Sequence, residues 1–449
     1  MNILLIAIDT LRADHLGCYG YHRSTSPNLD ELAAQGALFK QLLCGCVPTQ
    51  PSYTSLYTGQ YSVTHGIVTH GGTKWPADGS PFFTHDLQPA GYTTCAVDNL
   101  YGMQKWFAAG YEFYINPTGR VHHFQTVDCQ VYNSRAIPWL RAHANEQFFM
   151  FVHYWDPHTP YLPPERLRGL YYDGNPCDPQ HSTMDRLYEQ PFGDWWSESW
   201  FKRLQDDRIT DAEYIVAMYD SEINYVDEAV GELLNALDET GHTDDTLVIV
   251  FSDHGELMYR HDIYFDHHGL YRGNLHVPLI MRWPERIPAG TVVEPLVQHI
   301  DIAPTILEAA GAEVPQGMEG HSLLAHATGR TDERLYDYLI TQECTWQAKW
   351  AIRTDDHNFI KARVPDAGER QPDLHGMPPQ ELYDLRADPD ELSNIAEERP
   401  NVAAQLEQKL EAWIAEMMAK NGLAQDPLVA QGITLGKRWH EWVQEKGYW

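Results

Sequence analysis

Five polar residues stand at the ends of short apolar runs. Asp9 follows residues 3–8, Asn99 follows 92–97 and Asp98, Asp156 follows 148–153, and Asp253 with His254 follows 247–251. Carboxylates and imidazoles are the side chains that hold divalent cations such as zinc or manganese. Any one of them alone is a common turn former. Four strand ends offering the same chemistry are hard to read that way. A sixth residue, Thr49, brings a hydroxyl. It sits in Cys46-Val47-Pro48-Thr49-Gln50-Pro51-Ser52-Tyr53, where the apolar run 37–46 gives way to a short helix. Pro51 suits the first turn of that helix, and Gly59 suits the left-handed stop after it. Free N–H groups and the dipole at such a start favour an anion. Once deprotonated, the Thr49 hydroxyl could attack a bound phosphoryl or sulfuryl group. The plain alternative is that Thr49 only caps the helix. Asn99 has two readings as well, a turn residue or an amide that binds non-bridging oxygens.

These residues need a scaffold that brings strand ends together. The apolar runs at 3–8, 92–97, 148–153, 247–251 and 277–281 are too short and too continuous for surface helices and read as buried strands. Helical patterns lie between them, at 27–35 and most clearly at 211–237, where Tyr214, Met218, Ile223, Val226, Val230 and Leu234 recur at roughly helical spacing. Strands alternating with helices predict an α/β fold, a large mostly parallel sheet flanked by helices. Such sheets bind ligands at the carboxyl ends of their strands. From about residue 334 the pattern changes. Residues 349–352 and 358–363 read as an antiparallel pair, and 400–420 as an amphipathic helix. The expected organisation is a catalytic domain at 1–333, a C-terminal α+β subdomain with a smaller antiparallel sheet at 334–422, and an arm at 423–449. Residues 162–208, rich in Pro, Trp and Tyr without a period, read as an insertion, either a wall over the pocket or local packing.

Composition excludes some partners. Lys and Arg number 32 against 63 Asp and Glu, for a net charge of −31, which argues against nucleic acid and anionic membrane surfaces. An anionic substrate must then be drawn by something local, such as metal ions. Seven cysteines without regular spacing predict free thiols in a reducing compartment. No stretch is long enough to span a membrane, and the first residues lack a signal-peptide pattern, so the expectation is a cytoplasmic protein.

The stretch around Thr49 resembles the signature of the sulfatase family within the alkaline phosphatase superfamily: Cys or Ser, x, Pro, Ser, Arg, then x-x-Leu-x-Thr-Gly. Counting back from Thr58-Gly59 puts Thr49 at the nucleophile position, with Pro51, Ser52 and Leu56 in register and Tyr53 in place of the Arg. Cys46-x-Pro48 imitates the start of the signature but is out of step with its end. Sulfatases oxidise the Cys or Ser to formylglycine. Threonine, a secondary alcohol, cannot give that aldehyde, and at this position it resembles the phosphodiesterase and phosphonate monoester hydrolase branch. The resemblance implies an alkaline phosphatase-like fold and a metal held by Asp9, Thr49, Asp253 and His254. Many members carry a second Asp after the first, where this chain has Thr10. A second metal is implied at Asp156 and His158, with its last ligand from Asp266-His267-His268-Gly269. His268 is the better match, and His267 could substitute. His153 and His261 read as pocket-lining or structural. The cofactors expected are divalent ions, two in number, zinc or manganese.

The resulting expectation is a metal-dependent hydrolase of small phosphoesters, phosphodiester or phosphonate monoester, working through Thr49 and a phospho-enzyme. The rivals are a sulfatase or a promiscuous sulfate and phosphate esterase, a non-catalytic family member, and a phosphomutase, for which no cap domain is evident. Trp439, Trp442, Tyr448 and Trp449 in the arm suit either a homo-oligomer contact or folding back on the same chain.

Overall fold

The computed structural model describes residues 1–72, 74–118, 127–205, 207–344, 347–363 and 378–433. Among the described residues, twelve strands precede residue 300: β1 Asn2–Ile8, β2 Ala37–Leu43, β3 Cys46–Val47, β4 Thr93–Val97, β5 Phe113–Ile115, β6 Phe148–Tyr154, β7 Thr246–Phe251, β8 Leu257–Arg260, β9 Ile263–Asp266, β10 His276–Arg282, β11 Thr291–Val293 and β12 Val297–Gln298. Nine of the strands form one sheet in the order β11-β2-β10-β7-β1-β6-β4-β5, with β12 also paired to β2. Strand β1 runs parallel to β6 and β7, and β4 runs parallel to β5 and β6. Only β10 reverses, lying antiparallel to both β7 and β2. Strands β1, β6 and β7 are buried at every position. Their continuous apolar runs follow from helices covering both faces.

The longest of these helices is Ala212–Glu239. Its Ile215, Met218, Tyr219, Ile223, Val226, Val230 and Leu233 are buried at helical spacing. Each such apolar side chain contributes roughly 1.5–3 kcal/mol on full burial. Asn133 of the neighbouring helix Cys129–Ala142 ties the two together by donating to the Ala229 carbonyl at 2.8 Å. The long helix also anchors the chain that follows β1. Asp220 accepts from His15 Nδ1 (2.7 Å), Tyr21 Oη (2.7 Å) and Arg23 Nη1 (2.6 Å).

A second sheet follows, of β13 Leu339–Glu343, β14 Lys349–Arg353, β15 His357–Ala362 and β16 Gln380–Asp384, in antiparallel order β16-β15-β14-β13. The helix Pro400–Lys420 lays Ala403, Leu406, Leu410, Ile414 and Met417 on it. The fifth strand of this sheet is β3, parallel to β13 with Cys46 opposite Gln342 and Val47 opposite Glu343. The single apolar run 37–46 therefore holds two strands, β2 in the large sheet and the start of β3 in the small one.

Residues 162–208 carry the short helices Asp185–Tyr188 and Pro191–Ser199. Leu167, Met184, Leu187, Trp200 and Phe201 enter the main core, with Trp200 edge-on to Tyr161 at 5.0 Å. These aromatics pack locally. Leu428, in the described part of the arm, is buried against the small sheet. Trp439, Trp442, Tyr448 and Trp449 lie outside the described residues. All seven cysteines are free thiols. Among the described residues no helix is long and apolar enough to cross a membrane.

Candidate active site

Adjacent strands end at the same rim, so their following residues converge. Asp9 leaves β1, and Asp253 with His254 leaves β7. One ligand atom from each of the three lies within 4.8 Å of the others, and all three residues are buried. Thr49 opens the helix Thr49–Thr58, which closes at Gly59 in the left-handed region, φ 61°. Its Oγ1 is 3.2 Å from His254 Nε2. Ser52, one turn on, locks this helix to β7 by donating to the Asp253 carbonyl at 2.7 Å.

The tautomer of His254 follows from its contacts. Nδ1 faces the Gly255 carbonyl at 3.0 Å, which can only accept, so Nδ1 carries a proton. Burial and the nearby His267 push the ring down to about 3, so it is neutral and Nε2 presents a lone pair to Thr49 and to Asp253, 3.3 Å away. His158 is set the same way, its Nδ1–H donating to the Thr159 carbonyl at 2.8 Å, with burial lowering its pKa. A backbone acceptor on one ring nitrogen that leaves the other as a lone pair is how ligand histidines are oriented.

Asp9 is held from behind. His153, on β6 in register with Ala7, places Nε2 3.3 Å from Asp9 Oδ2 and Nδ1 2.9 Å from Asp98 Oδ1. Burial opposes charge on His153, but hydrogen bonds to both carboxylates outweigh it and push the ring up to about 9. Burial likewise opposes ionisation of Asp9, yet the His153 bond and the surrounding imidazoles keep its carboxyl below the usual range. Burial and Asp9 drive Asp253 well upward. Asp9 Oδ1 and Asp253 Oδ2 are buried without a hydrogen bond among the described residues. Asp9, Asp253 and His254, whose ligand atoms lie within 4.8 Å of one another, form a donor set that a divalent cation would satisfy. Thr10 stands beside them at φ 55°, strained for a β-branched residue, and its amide reaches Asp253 Oδ1 at 3.4 Å.

The remaining expected residues divide. Asn99 Oδ1 accepts from Trp155 Nε1, and Asn99 Nδ2 is buried without a hydrogen bond among the described residues. Asp156 is not among the three residues of the group above. Burial raises its carboxyl to about 6, and its neighbours there are Glu222 of the long helix, Asp128 and Cys129. Of the His pair, His267 faces the cluster, its ring 4.7 Å from that of His254 and 4.9 Å from that of His158. His268 lies 3.4 Å from Asp266 Oδ2. Glu256 backs His267 at 3.5 Å and accepts from Thr159 Oγ1 at 3.0 Å. Burial opposes charge on His267, but Glu256 and Asp266 push it up to about 9. Cys46 is apart, 3.3 Å from Ser55 Oγ, its thiol pushed up to about 12 by burial. Tyr53, in the place of an Arg, packs edge-on against His153 at 5.0 Å. His261 stacks on Tyr271 at 3.6 Å.

Sequence reasoning gave no role to Asp98 or Glu256 and read His153 as pocket-lining or structural. Asp98 carried a signal, its place at the end of β4. His153 carried one in being a titratable residue inside an otherwise apolar strand.

A mostly parallel sheet whose strand ends gather an Asp/His group around a hydroxyl at a helix start defines an ester-hydrolysing enzyme of the alkaline phosphatase type. The chain belongs to the sulfatase family: residues 1–312 match the family model described as Sulfatase, and residues 260–418 match that of the N-sulphoglucosamine sulphohydrolase C-terminal region. Members of this superfamily use divalent metal ions. Among curated relatives, the chain is 25% identical over 472 residues to an N-acetylglucosamine-6-O-sulfatase of Bacteroides thetaiotaomicron, covering 88% of this chain and 82% of that one. It is 26% identical over 480 residues to the multifunctional alkaline phosphatase superfamily protein PehA of Trinickia caryophylli, covering 88% and 91%. A phosphonate monoester hydrolase from Silicibacter pomeroyi shares the fold, with a TM-score of 0.71 at 22% identity over 95% of this chain and 96% of that one.

Proposed function

We propose that this protein hydrolyses phosphoesters, phosphodiesters or phosphonate monoesters, with Thr49 as nucleophile. The observation that carries this reading is the Thr49 hydroxyl 3.2 Å from the His254 Nε2 lone pair, at the edge of the Asp9, Asp253 and His254 group. A plain alcohol suits phosphorus. Thr49 gives up its hydroxyl proton to water, Oγ1 attacks in line and its bond to phosphorus forms, and the ester oxygen departs with the electron pair of the broken P–O bond and takes a proton from water. Water then cleaves the phospho-threonine at phosphorus and returns the hydroxyl. A formylglycine sulfatase needs an oxidised Cys or Ser at this position, and threonine offers neither.

Asp9, Thr49, Asp253 and His254 would hold one divalent cation, and His158 with His267 faces the same space. Zinc or manganese suits such a mixed oxygen and nitrogen set better than calcium. Bound there, the cation would supply Lewis-acid charge that lowers the Thr49 hydroxyl pKa and offsets charge on the phosphoryl oxygens. His153 and Asp98 orient Asp9, and Ser52 fixes the nucleophile helix. His267, backed by Glu256, lies against His254 and His158 at the edge of the same group. The Asn99 amide is available to a non-bridging oxygen.

Sulfate ester hydrolysis is the second reading, favoured by the match to the Sulfatase model and by the N-acetylglucosamine-6-O-sulfatase relative. A phosphodiester and a sulfate monoester carry the same charge, so electrostatics does not separate them. The test is turnover of an aryl phosphodiester, an aryl phosphonate monoester and an aryl sulfate by the metal-loaded protein. Faster turnover of the sulfate than of both phosphorus esters overturns the proposal.

A further inference from the structure

A cavity of about 260 Å³ lies between the segment after β1, the β8–β9 hairpin and the Tyr271–Gly273 turn. None of Asp9, Thr49, Asp253 and His254 lines it. Three guanidinium groups do, those of Arg12, Arg260 and Arg272. Arg12 is built in. Its fork grips Asp14 at 2.8 and 2.7 Å, and Nη1 donates to the Glu256 carbonyl at 3.0 Å. Gly255 and Gly273 leave the room for it: a Cβ on Gly273 would sit 3.1 Å from Arg12 Nη1, and one on Gly255 would sit 3.3 Å from Arg12 Cγ.

Arg272 is different. It is half-buried, and its side chain makes no hydrogen bond or ion pair among the described residues. Burial disfavours its charge; Asp14 and Glu391 nearby favour it, and two further arginines, Arg353 and Arg12, oppose it. Arg260 is exposed at the mouth of the cavity, with the ring of Tyr259 at 4.8 Å and no ion pair among the described residues. The acids that line the cavity do not balance them. Asp14 is committed to Arg12, and Glu213 accepts from Tyr259 Oη and lies 4.0 Å from Arg23. Asp390 is the remaining carboxylate. In a chain with a net charge of −31, two guanidinium groups that line one cavity without an ion pair among the described residues stand out. Holding the half-buried Arg272 partly out of water without a hydrogen-bond acceptor is unfavourable, and a planar guanidinium fork matches a bidentate oxyanion.

We propose that this cavity is a second anion site, separate from the candidate active site, which takes a compact oxyanion on the forks of Arg272 and Arg260. Phosphate and sulfate are the probes, because both present the paired oxygens that an arginine fork grips.

The test is calorimetric titration of the metal-loaded protein with inorganic phosphate and, separately, inorganic sulfate. It is run on the parent and on Asp253→Asn, which disables anion capture at the metal group. The expected result is one binding event that survives Asp253→Asn and weakens at least tenfold in Arg272→Gln, with ester turnover in anion-free buffer unchanged. Arg260→Gln should weaken the same event. It is the second variant should Arg272→Gln fail to fold, as judged by circular dichroism. No binding at millimolar anion, loss of all binding in Asp253→Asn alone, or affinity unaffected by Arg272→Gln and Arg260→Gln overturns the proposal.

Discussion

Thr49→Ala should separate stability from activity. The side chain is buried, and its hydroxyl makes one hydrogen bond among the described residues, 3.2 Å to His254 Nε2. Losing a neutral bond of that kind costs about 0.5–1.5 kcal/mol, and removing the buried methyl adds about 1 kcal/mol. Unfolding entropy of about 2.1 cal/mol/K per residue amounts to about 0.9 kcal/mol per kelvin over 449 residues. The variant should therefore melt only about 2 °C below the parent. Turnover should behave differently. Removing the nucleophile of a covalent mechanism costs on the order of 10⁴-fold or more, which is at least about 5.5 kcal/mol at 1.36 kcal/mol per decade. Thr49→Ser keeps a hydroxyl and should retain measurable phosphodiester turnover, whereas Cys46→Ala should leave it within a few-fold of the parent. The assay is initial rates on an aryl phosphodiester at fixed metal, alongside a melting curve for each variant. Thr49→Ala turning over within tenfold of the parent, at an unchanged melting temperature, would refute a nucleophilic role for Thr49.

Three further outcomes are expected. His267→Ala should lower phosphodiester turnover more than His268→Ala, since His267 faces His254 and His158; the reverse order in paired rate measurements would return the role to His268. His153→Ala should weaken metal binding about 10–100-fold by releasing Asp9, with partial recovery in His153→Gln, read by equilibrium dialysis and elemental analysis; an unchanged affinity in the Ala variant counts against the positioning role. Asp220→Ala strands Arg23 and should cost about 3–5 kcal/mol, or about 3–5 °C on the scale above. Burial opposes ionisation of Asp220, but His15 and its other hydrogen-bond partners hold its folded-state pKa below the unfolded value of about 3.9. Its stabilisation is thus full above about pH 4 and lost as pH falls through the folded value. The melting gap between parent and variant should narrow in acid, and a gap constant from pH 7 to pH 3 would contradict this.

The strand ends were legible because a buried parallel strand needs a continuous apolar run, and such a run has a visible end. That places Asp9, Asp253 and His254 at one rim without knowing the fold. Pro51 and Gly59 mark the helix after Thr49 for equally local reasons. What was not legible depends on partners far along the chain. Asp156 sits at the expected strand end, and its partner Glu222 comes from the long helix far along the chain, which no local pattern shows. Motif matching preferred His268 to its neighbour His267, whereas the ring contacts with His254 and His158 belong to His267. Positive φ at Phe265 (52°) reorients the chain just before them. The break between β2 and β3 is invisible locally because β3 finds its partner in β13.

That pairing of Cys46 and Val47 with Gln342 and Glu343 has a consequence for how the protein is made. The strand leading into Thr49 waits for a partner that leaves the ribosome about 300 residues later, roughly 15–60 s at ordinary rates of elongation. Glu343 also accepts from the Gly269 amide at 2.6 Å, so the turn carrying His267 and His268 waits for the same segment. The central sheet can form on a nascent chain, whereas the approach to the nucleophile is completed only when the small sheet docks. Truncated chains would then be folded in their core and silent in their chemistry, and hydrolytic activity would report that synthesis had passed β13.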